Sequence, residues 1–368
     1  MASPEHSEGI TMSAGGLYSL STIGAKHVID AATPMVIDAI NSLSQESISS
    51  GFTFSDMGTA DAGTSLSMVA AAIDAVSRRV PNAPISIVYS DQPRNDFNAL
   101  IANVYGLGPF ETYLDRRDNI FPLVSGTTFY KQIVPAATLD IGFSATAMHW
   151  LSAKVCNISN HVQAVGAEGK EFEAFRAQAH RDWRQILLHR AHELKPGGKL
   201  VLINFARDEQ GRYLGNTGGV NMFDQFNRNW QSFLEQDRIT RAEYENMTLP
   251  QYYNTVEEFS APLQDPDEAV YQAGLRLDHI DTRIVKCPFA ESFTEHADAA
   301  RFAEEYIPTI RSWNESIFFN ALSADRPLDE RRQIIEDYYA TYRDIVRENP
   351  EGHGMDYVHA YTVISKIT

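Results

Sequence analysis

A histidine and a tryptophan stand side by side at His149 and Trp150, inside the segment Ser144-Ala-Thr-Ala-Met-His-Trp-Leu-Ser152. Placed just after a strand end, such a pair could offer hydrogen-bond donors and a flat apolar wall to one small polar group. The plainer reading is a packed turn. A second feature is Asp56-Met-Gly58-Thr-Ala-Asp-Ala-Gly63-Thr-Ser65. Glycines between a strand and a helix let the backbone turn tightly and approach a ligand closely, although many α/β proteins keep them there for packing alone. The GxGxxG fingerprint of nicotinamide enzymes is absent, which weighs against that class. A third is Asp91, at the end of the next apolar run, where an acid can accept hydrogen bonds from ribose hydroxyls or simply cap a turn.

The elements that must position these residues read as an alternation of strands and helices. Phe52–Asp56 and Ile85–Tyr89 are short β-prone runs, with helical patterns over Leu66–Val80 and Asp96–Tyr105. Leu139–Phe143 and Lys199–Phe205 continue the strands around a long amphipathic helix, Glu171–Leu194, that Pro196-Gly197-Gly198 closes. This is the pattern of a doubly wound, Rossmann-like α/β sheet with helices on both faces. Before it, Pro34 divides an N-terminal helical stretch into two expected pieces. Between 211 and 267, Met222, Phe223, Phe226, Trp230 and Phe233 recur at helical spacing, as in an insertion lying over the core. Leu275–Val285 and Tyr357–Lys366 read as strands around a largely helical Ala299–Arg347. The expected division is a core of 1–210 and 268–368, and a helical cap of 211–267 with parts of 290–350.

Composition narrows the function. The chain has 368 residues, 43% hydrophobic and 21% charged, and a formal net charge of −17. Nucleic-acid binding needs clustered Lys and Arg, and no basic run offsets this acidity. Cys156 and Cys287 are the two cysteines, without metal or disulfide spacing. No apolar run reaches the roughly 18 residues of a membrane-spanning helix. The expectation is a cytoplasmic protein without membrane or nucleic-acid partners.

Four blocks, in order, resemble the SABATH methyltransferases, whose members methylate salicylate, benzoate, jasmonate, indoleacetate and xanthine alkaloids. Asp91-Gln-Pro-Arg-Asn-Asp-Phe-Asn98 resembles their DLPxNDFN block, Thr127-Thr-Phe-Tyr130 their GSFY, Ser144–Ser152 their SSYSLHWLS, and Leu249-Pro-Gln-Tyr252 their LPxY. The resemblance covers essentially the whole chain and implies an S-adenosyl-L-methionine-dependent enzyme that forms methyl esters of small carboxylic acids and releases S-adenosyl-L-homocysteine. It implies cofactor contacts from Tyr18, Ser21, Asp56, Gly58, Asp91, Gln92, Thr128, Phe129, Phe143 and Ser144. It places His149 and Trp150 at the reacting carboxylate, and Met222, Phe223, Tyr252, Ile310, Trp313 and Tyr357 in the substrate wall. A homodimer is also implied.

The departures bear on the substrate. Salicylate-type relatives carry a glutamine on the substrate carboxylate where Ala25 stands here, and a tyrosine where Thr146 stands. A metal-bearing DxFN segment of some members reads Glu245-Asn-Met-Thr248, so no metal is expected. The divergence suggests a microbial or fungal member. The acid could be aromatic, heteroaromatic or dicarboxylic, with Lys26, His27 or Arg311 open as partners for a second carboxylate, or as ordinary surface charges. Two other readings stand beside this one: N-methylation of a xanthine-like ring, and a non-catalytic small-ligand-binding relative.

Overall fold

The computed structural model describes residues 18–116 and 118–367, and the side chain of Tyr18 lies outside that description. Seven strands form one sheet: β1 (Phe52–Met57), β2 (Ile85–Ser90), β3 (Ile120–Ser125), β4 (Leu139–Ala145), β5 (Leu194–Phe205), β6 (Leu275–Val285) and β7 (Tyr357–Lys366). Their order is β3-β2-β1-β4-β5-β7-β6. The first five run parallel, and β7 pairs antiparallel with both β5 and β6. The chain therefore reverses its direction of travel across the sheet between β1 and β4. Open α/β sheets bind ligands beyond the carboxyl ends of their strands at such a switch point.

Helices α1 (Tyr18–Ser21), α2 (Ile23–Ser42) and α3 (Gln45–Ser49) precede the sheet; α4 (Leu66–Arg79), α5 (Phe97–Val104) and α6 (Gly169–Glu193) lie between its parallel strands. Helices α7 (Met222–Glu235), α8 (Arg241–Asn246), α9 (Val256–Gln264) and α10 (Ala269–Gln272) separate β5 from β6, and α11 (Pro288–His296), α12 (Ala299–Ala321) and α13 (Leu328–Glu348) separate β6 from β7. Alternation along the strands divides the core. Phe54, Ile87, Ile141, Phe143, Val201 and Ile203 meet α2 and α4, whereas Met57, Val88, Leu200, Leu202 and Ile364 meet Trp183, Ile186 and Leu187 of α6 and Phe259 of α9. The aromatic side chains of α7, α12 and α13 belong to the same continuous cluster as α2.

One local expectation needs correction, and one strand is new. Pro34 does not divide the N-terminal helix: α2 runs through it as one 20-residue helix. Pro34 is on the exposed face, so the backbone acceptor it strands can reach water, while Val28, Ile29, Ala32, Val36 and Ile40 stay packed on the sheet. Strand β3 had no sequence expectation, and Pro122 sits inside it. An edge strand tolerates proline, since one side of its backbone needs no partner.

Candidate active site

The turn after β1 is built on backbone that side chains ordinarily avoid. Gly58 has φ +76°, and a Cβ there would stand 2.5 Å from the Ala147 Cβ, with the Phe129 ring 3.6 Å away. Ala60 and Ala62 are also left-handed, at φ 50° and 62°, a conformation that costs an L-residue roughly 1–2 kcal/mol. Hydrogen bonds hold them. The Ala60 N–H donates to Asp91 Oδ2 (2.7 Å), Asn95 Nδ2 donates to the Ala60 carbonyl (2.8 Å), and Asn103 Nδ2 donates to the Asp61 carbonyl (2.9 Å). The Asp61 carboxylate in turn accepts from the Gly63 N–H, and from the N–H and hydroxyl of Ser19. Thus α1 is tied down over the turn. Strain maintained by this many contacts is characteristic of ligand sites.

A buried carboxyl group, Asp56, and a half-buried one, Asp91, flank this turn. Asp56 accepts from Ser65 Oγ (2.6 Å) and Thr59 Oγ1 (3.0 Å), yet burial pushes its pKa up to about 6. Burial also raises Asp91, against the N–H groups of Ala60 and Gln92. Desolvated acids at adjacent strand ends suit a ligand that brings its own positive charge or hydroxyl donors. Ser144 Oγ donates to the Met57 carbonyl (2.8 Å), closing the gap between β1 and β4. Thr128 and Phe129 approach on the loop after β3. That loop is held by Arg190 of α6, which donates to the carbonyls of Phe129 (3.0 Å) and Lys131 (2.7 Å).

Beside the turn lies an aromatic cavity lined by Thr22, Ala25, Thr146, His149, Trp150, Phe205, Leu214, Gln251, Trp313, Met355 and Tyr357. Gly24 makes room for one wall, since a Cβ there would stand 2.2 Å from the Tyr357 ring. The His149–Trp150 segment is fixed by the backbone. Leu151 N–H donates to the Pro250 carbonyl (2.7 Å), Tyr252 N–H donates to the His149 carbonyl (3.1 Å), and Trp150 forms an antiparallel bridge with Gln251. The His149 ring meets Phe205 edge-on (centroids 4.7 Å) and tilts against Trp150 (5.4 Å) and Tyr253 (6.0 Å). Burial pushes its pKa down to about 3, so the imidazole is neutral near pH 7. Its Nδ1 has no hydrogen-bond partner among the described residues.

The residues expected in the site separate by location. His149, Trp150, Trp313 and Tyr357 line the cavity, and Asp56, Gly58, Asp91, Gln92, Phe129 and Ser144 gather at the strand ends, with Thr128 next to Phe129 in the chain. Met222, Phe223 and Ile310 are buried but absent from the lining; Phe223 packs on Trp313 and Tyr253 from behind. Phe143 faces the core, stacked on Phe54, and the Ser21 carbonyl accepts from Thr309 Oγ1 (2.7 Å). Tyr252 is a correction. Its ring lies on Phe172 and its hydroxyl donates to Glu258, in a separate cluster. With Gln251 opposite Trp150, alternation turns Gln251 inward and Tyr252 away.

Thr22, Phe205, Leu214, Gln251 and Met355 are lining residues without a sequence expectation. Lys26, His27 and Arg311 are not in the lining. Lys26 pairs with Asp30 (2.6 Å), and Arg311 is forked onto Glu315 and Glu336. Lys26 and Arg311 are thus committed to carboxylates of the chain itself.

Residues 18–367 match the family model described as SAM-dependent carboxyl methyltransferase. A methyltransferase of a Fusarium species is 30% identical over 215 residues, 58% of this chain and 56% of that protein, so the match spans little more than half the relative's length. The salicylate carboxymethyltransferase of Clarkia breweri is 23% identical over 345 residues, covering 90% of this chain and 89% of that one. Among solved structures, a loganic acid methyltransferase with S-adenosylhomocysteine shares the fold, with a TM-score of 0.74 at 18% identity over 97% of this chain and 99% of the other.

Proposed function

The chain belongs to the S-adenosylmethionine-dependent carboxyl methyltransferases, and from that premise we propose that it esterifies the carboxyl group of a small, largely apolar monocarboxylic acid. The observation that carries this reading is the cavity chemistry: a neutral histidine and an indole among apolar walls, with neither Lys nor Arg among the described lining residues. S-Adenosylmethionine, when bound, supplies a methyl group on a sulfonium that is already an activated leaving group. The strained turn and its two desolvated acids fit it. Asp91 would accept from the ribose hydroxyls, Gln92, Thr128 and Phe129 would flank the adenine, and Asp56 with Gly58 would meet the methionine end.

The protein's own task is then positional. A carboxylate, with a pKa near 4, is ionised at neutral pH and needs no general base. His149 and the Trp150 indole N–H hold one of its oxygens, and Phe205, Trp313 and Tyr357 exclude the water that would solvate the nucleophile. Alignment of this kind contributes roughly 7–11 kcal/mol in favourable cases. The test is methyl transfer from labelled cofactor to a library of small acids, followed by His149→Ala and Trp150→Phe. Each variant is expected to lose about 10- to 150-fold in kcat/KM, the scale of one hydrogen bond to a charged group. Full activity in both would sink the assignment.

Asp56 gives the reading a pH signature. Its carboxyl is pushed up to about 6, so it carries a proton below that pH, and a cationic ligand favours the ionised form. Cofactor affinity is therefore expected to strengthen as pH rises toward 6, by up to about tenfold per unit, and to level off above it. Calorimetric titration at several pH values reads this directly. Asp56→Asn should bind weakly with a flat profile; a flat wild-type profile would remove Asp56 from the methionine end. The reading also includes a cytoplasmic homodimer. A monomer by light scattering at micromolar concentration would overturn the dimer.

A further inference from the structure

The carboxylate grip described so far has two donors, and the cavity contains a third that nothing above employs. Gln251 is 1% exposed and lines the cavity beside Trp150, its partner across the antiparallel bridge. Its Oε1 accepts from the Tyr253 hydroxyl at 3.0 Å. Its Nε2 has no hydrogen-bond partner among the described residues. The orientation of the amide follows from its neighbours. The Tyr253 hydroxyl donates its proton to Oε1, which fixes the end of the amide that faces it. Flipping Gln251 would leave that hydroxyl proton without its acceptor and aim a carbonyl oxygen into the cavity. The satisfied arrangement directs the Gln251 NH2 inward.

We infer that Gln251 Nε2 donates to the substrate carboxylate, supplying from the start of α9's approach segment the amide donor that Ala25 cannot supply from α2. The inference rests on the carboxyl-methylation reading. It also accounts for an anion site without a cation: three neutral donors, in a buried wall, replace a salt bridge. A buried amide N–H left unpaired is costly, so the site discriminates against ligands that present no acceptor at that point.

The test starts from whichever acid the wild-type enzyme methylates in the library assay. Gln251→Leu, which keeps the volume without the donor, is expected to lower kcat/KM about tenfold with cofactor affinity unchanged. Adding Ala25→Gln to that variant should restore part of the loss. Gln251→Glu supplies an independent reading. Its carboxylate repels the substrate, but once protonated it can donate, so its kcat/KM should rise as pH falls toward 5 while the wild type stays level. A Gln251→Leu enzyme within about threefold of wild type, or a Gln251→Glu profile parallel to wild type, overturns the inference and leaves the carboxyl reading standing. If Gln251→Leu fails to bind cofactor, the Gln251→Glu profile decides alone. A wild-type enzyme that methylates no acid overturns both.

Discussion

Asp91→Ala is expected to weaken S-adenosylmethionine binding by at least about 100-fold, because two losses coincide at that carboxylate. One is direct: hydrogen bonds to a charged acceptor contribute about 1.5–3 kcal/mol each, and a ribose diol makes two. The other runs through the backbone. Asp91 Oδ2 holds the Ala60 N–H at 2.7 Å, and Ala60 and Ala62 are both left-handed. Without that acceptor the turn relaxes toward ordinary geometry, and the surface offered to the cofactor is no longer preorganised. Asp91→Asn separates the two losses. Its single amide oxygen can keep the Ala60 N–H or meet the ribose, and an affinity between those of the alanine variant and the wild type is expected. Calorimetry with both the cofactor and its demethylated product checks the effect, and an unchanged far-UV spectrum and melting temperature show that the sheet survives. Binding within about threefold of wild type in Asp91→Ala would remove the ribose from this acid.

Much of this site could be read from the chain because its chemistry sits at strand ends, where sequence signals are strongest. Asp56 and Asp91 each close an apolar β-prone run, and His149-Trp150 follows a third. The final strand has the expected bounds, Tyr357–Lys366, since an alternating run between polar segments has few other solutions. The rest was hidden for identifiable reasons. Phe205, Leu214 and Met355 come from separate segments, and each reads as an ordinary core residue until folding brings them around one cavity. Tyr252 and Gln251 exchange roles because the parity of a single-residue bridge depends on the path of the loop, which no periodicity encodes. Pro122 and Pro34 act as breakers by type, and only their edge and surface locations excuse them. The Gly63 turn and Ser19 meet through Asp61, a contact across 42 positions that local pattern cannot foresee.

The hardest feature to foresee was a pair of charges. Arg190 and Glu193 lie three apart on a helix rich in charged residues, a pattern that normally marks a solvated face, yet their side chains are 0% and 1% exposed. Arg190 Nε and Nη2 donate to Glu193 (2.6 and 2.7 Å), its remaining donors reach the Phe129 and Lys131 carbonyls, and Glu193 accepts from the Ile133 N–H. The pair is the strut beneath the loop that presents Thr128 and Phe129. Arg190→Leu leaves a buried carboxylate without its counter-charge, which costs about 3–5 kcal/mol. A melting temperature lower by on the order of 5–10 °C is expected, together with weaker cofactor binding. The double variant Arg190→Leu/Glu193→Leu distinguishes strut from ballast. An apolar pair of similar volume is often close to neutral in stability, so the double variant should melt well above the single one. It supplies no donor to the two carbonyls and no acceptor to Ile133, so its cofactor affinity should remain impaired. Recovery of stability and affinity together would mean that the loop holds its position without the pair. Recovery of stability alone would locate in α6 the support on which the adenine side of the site depends.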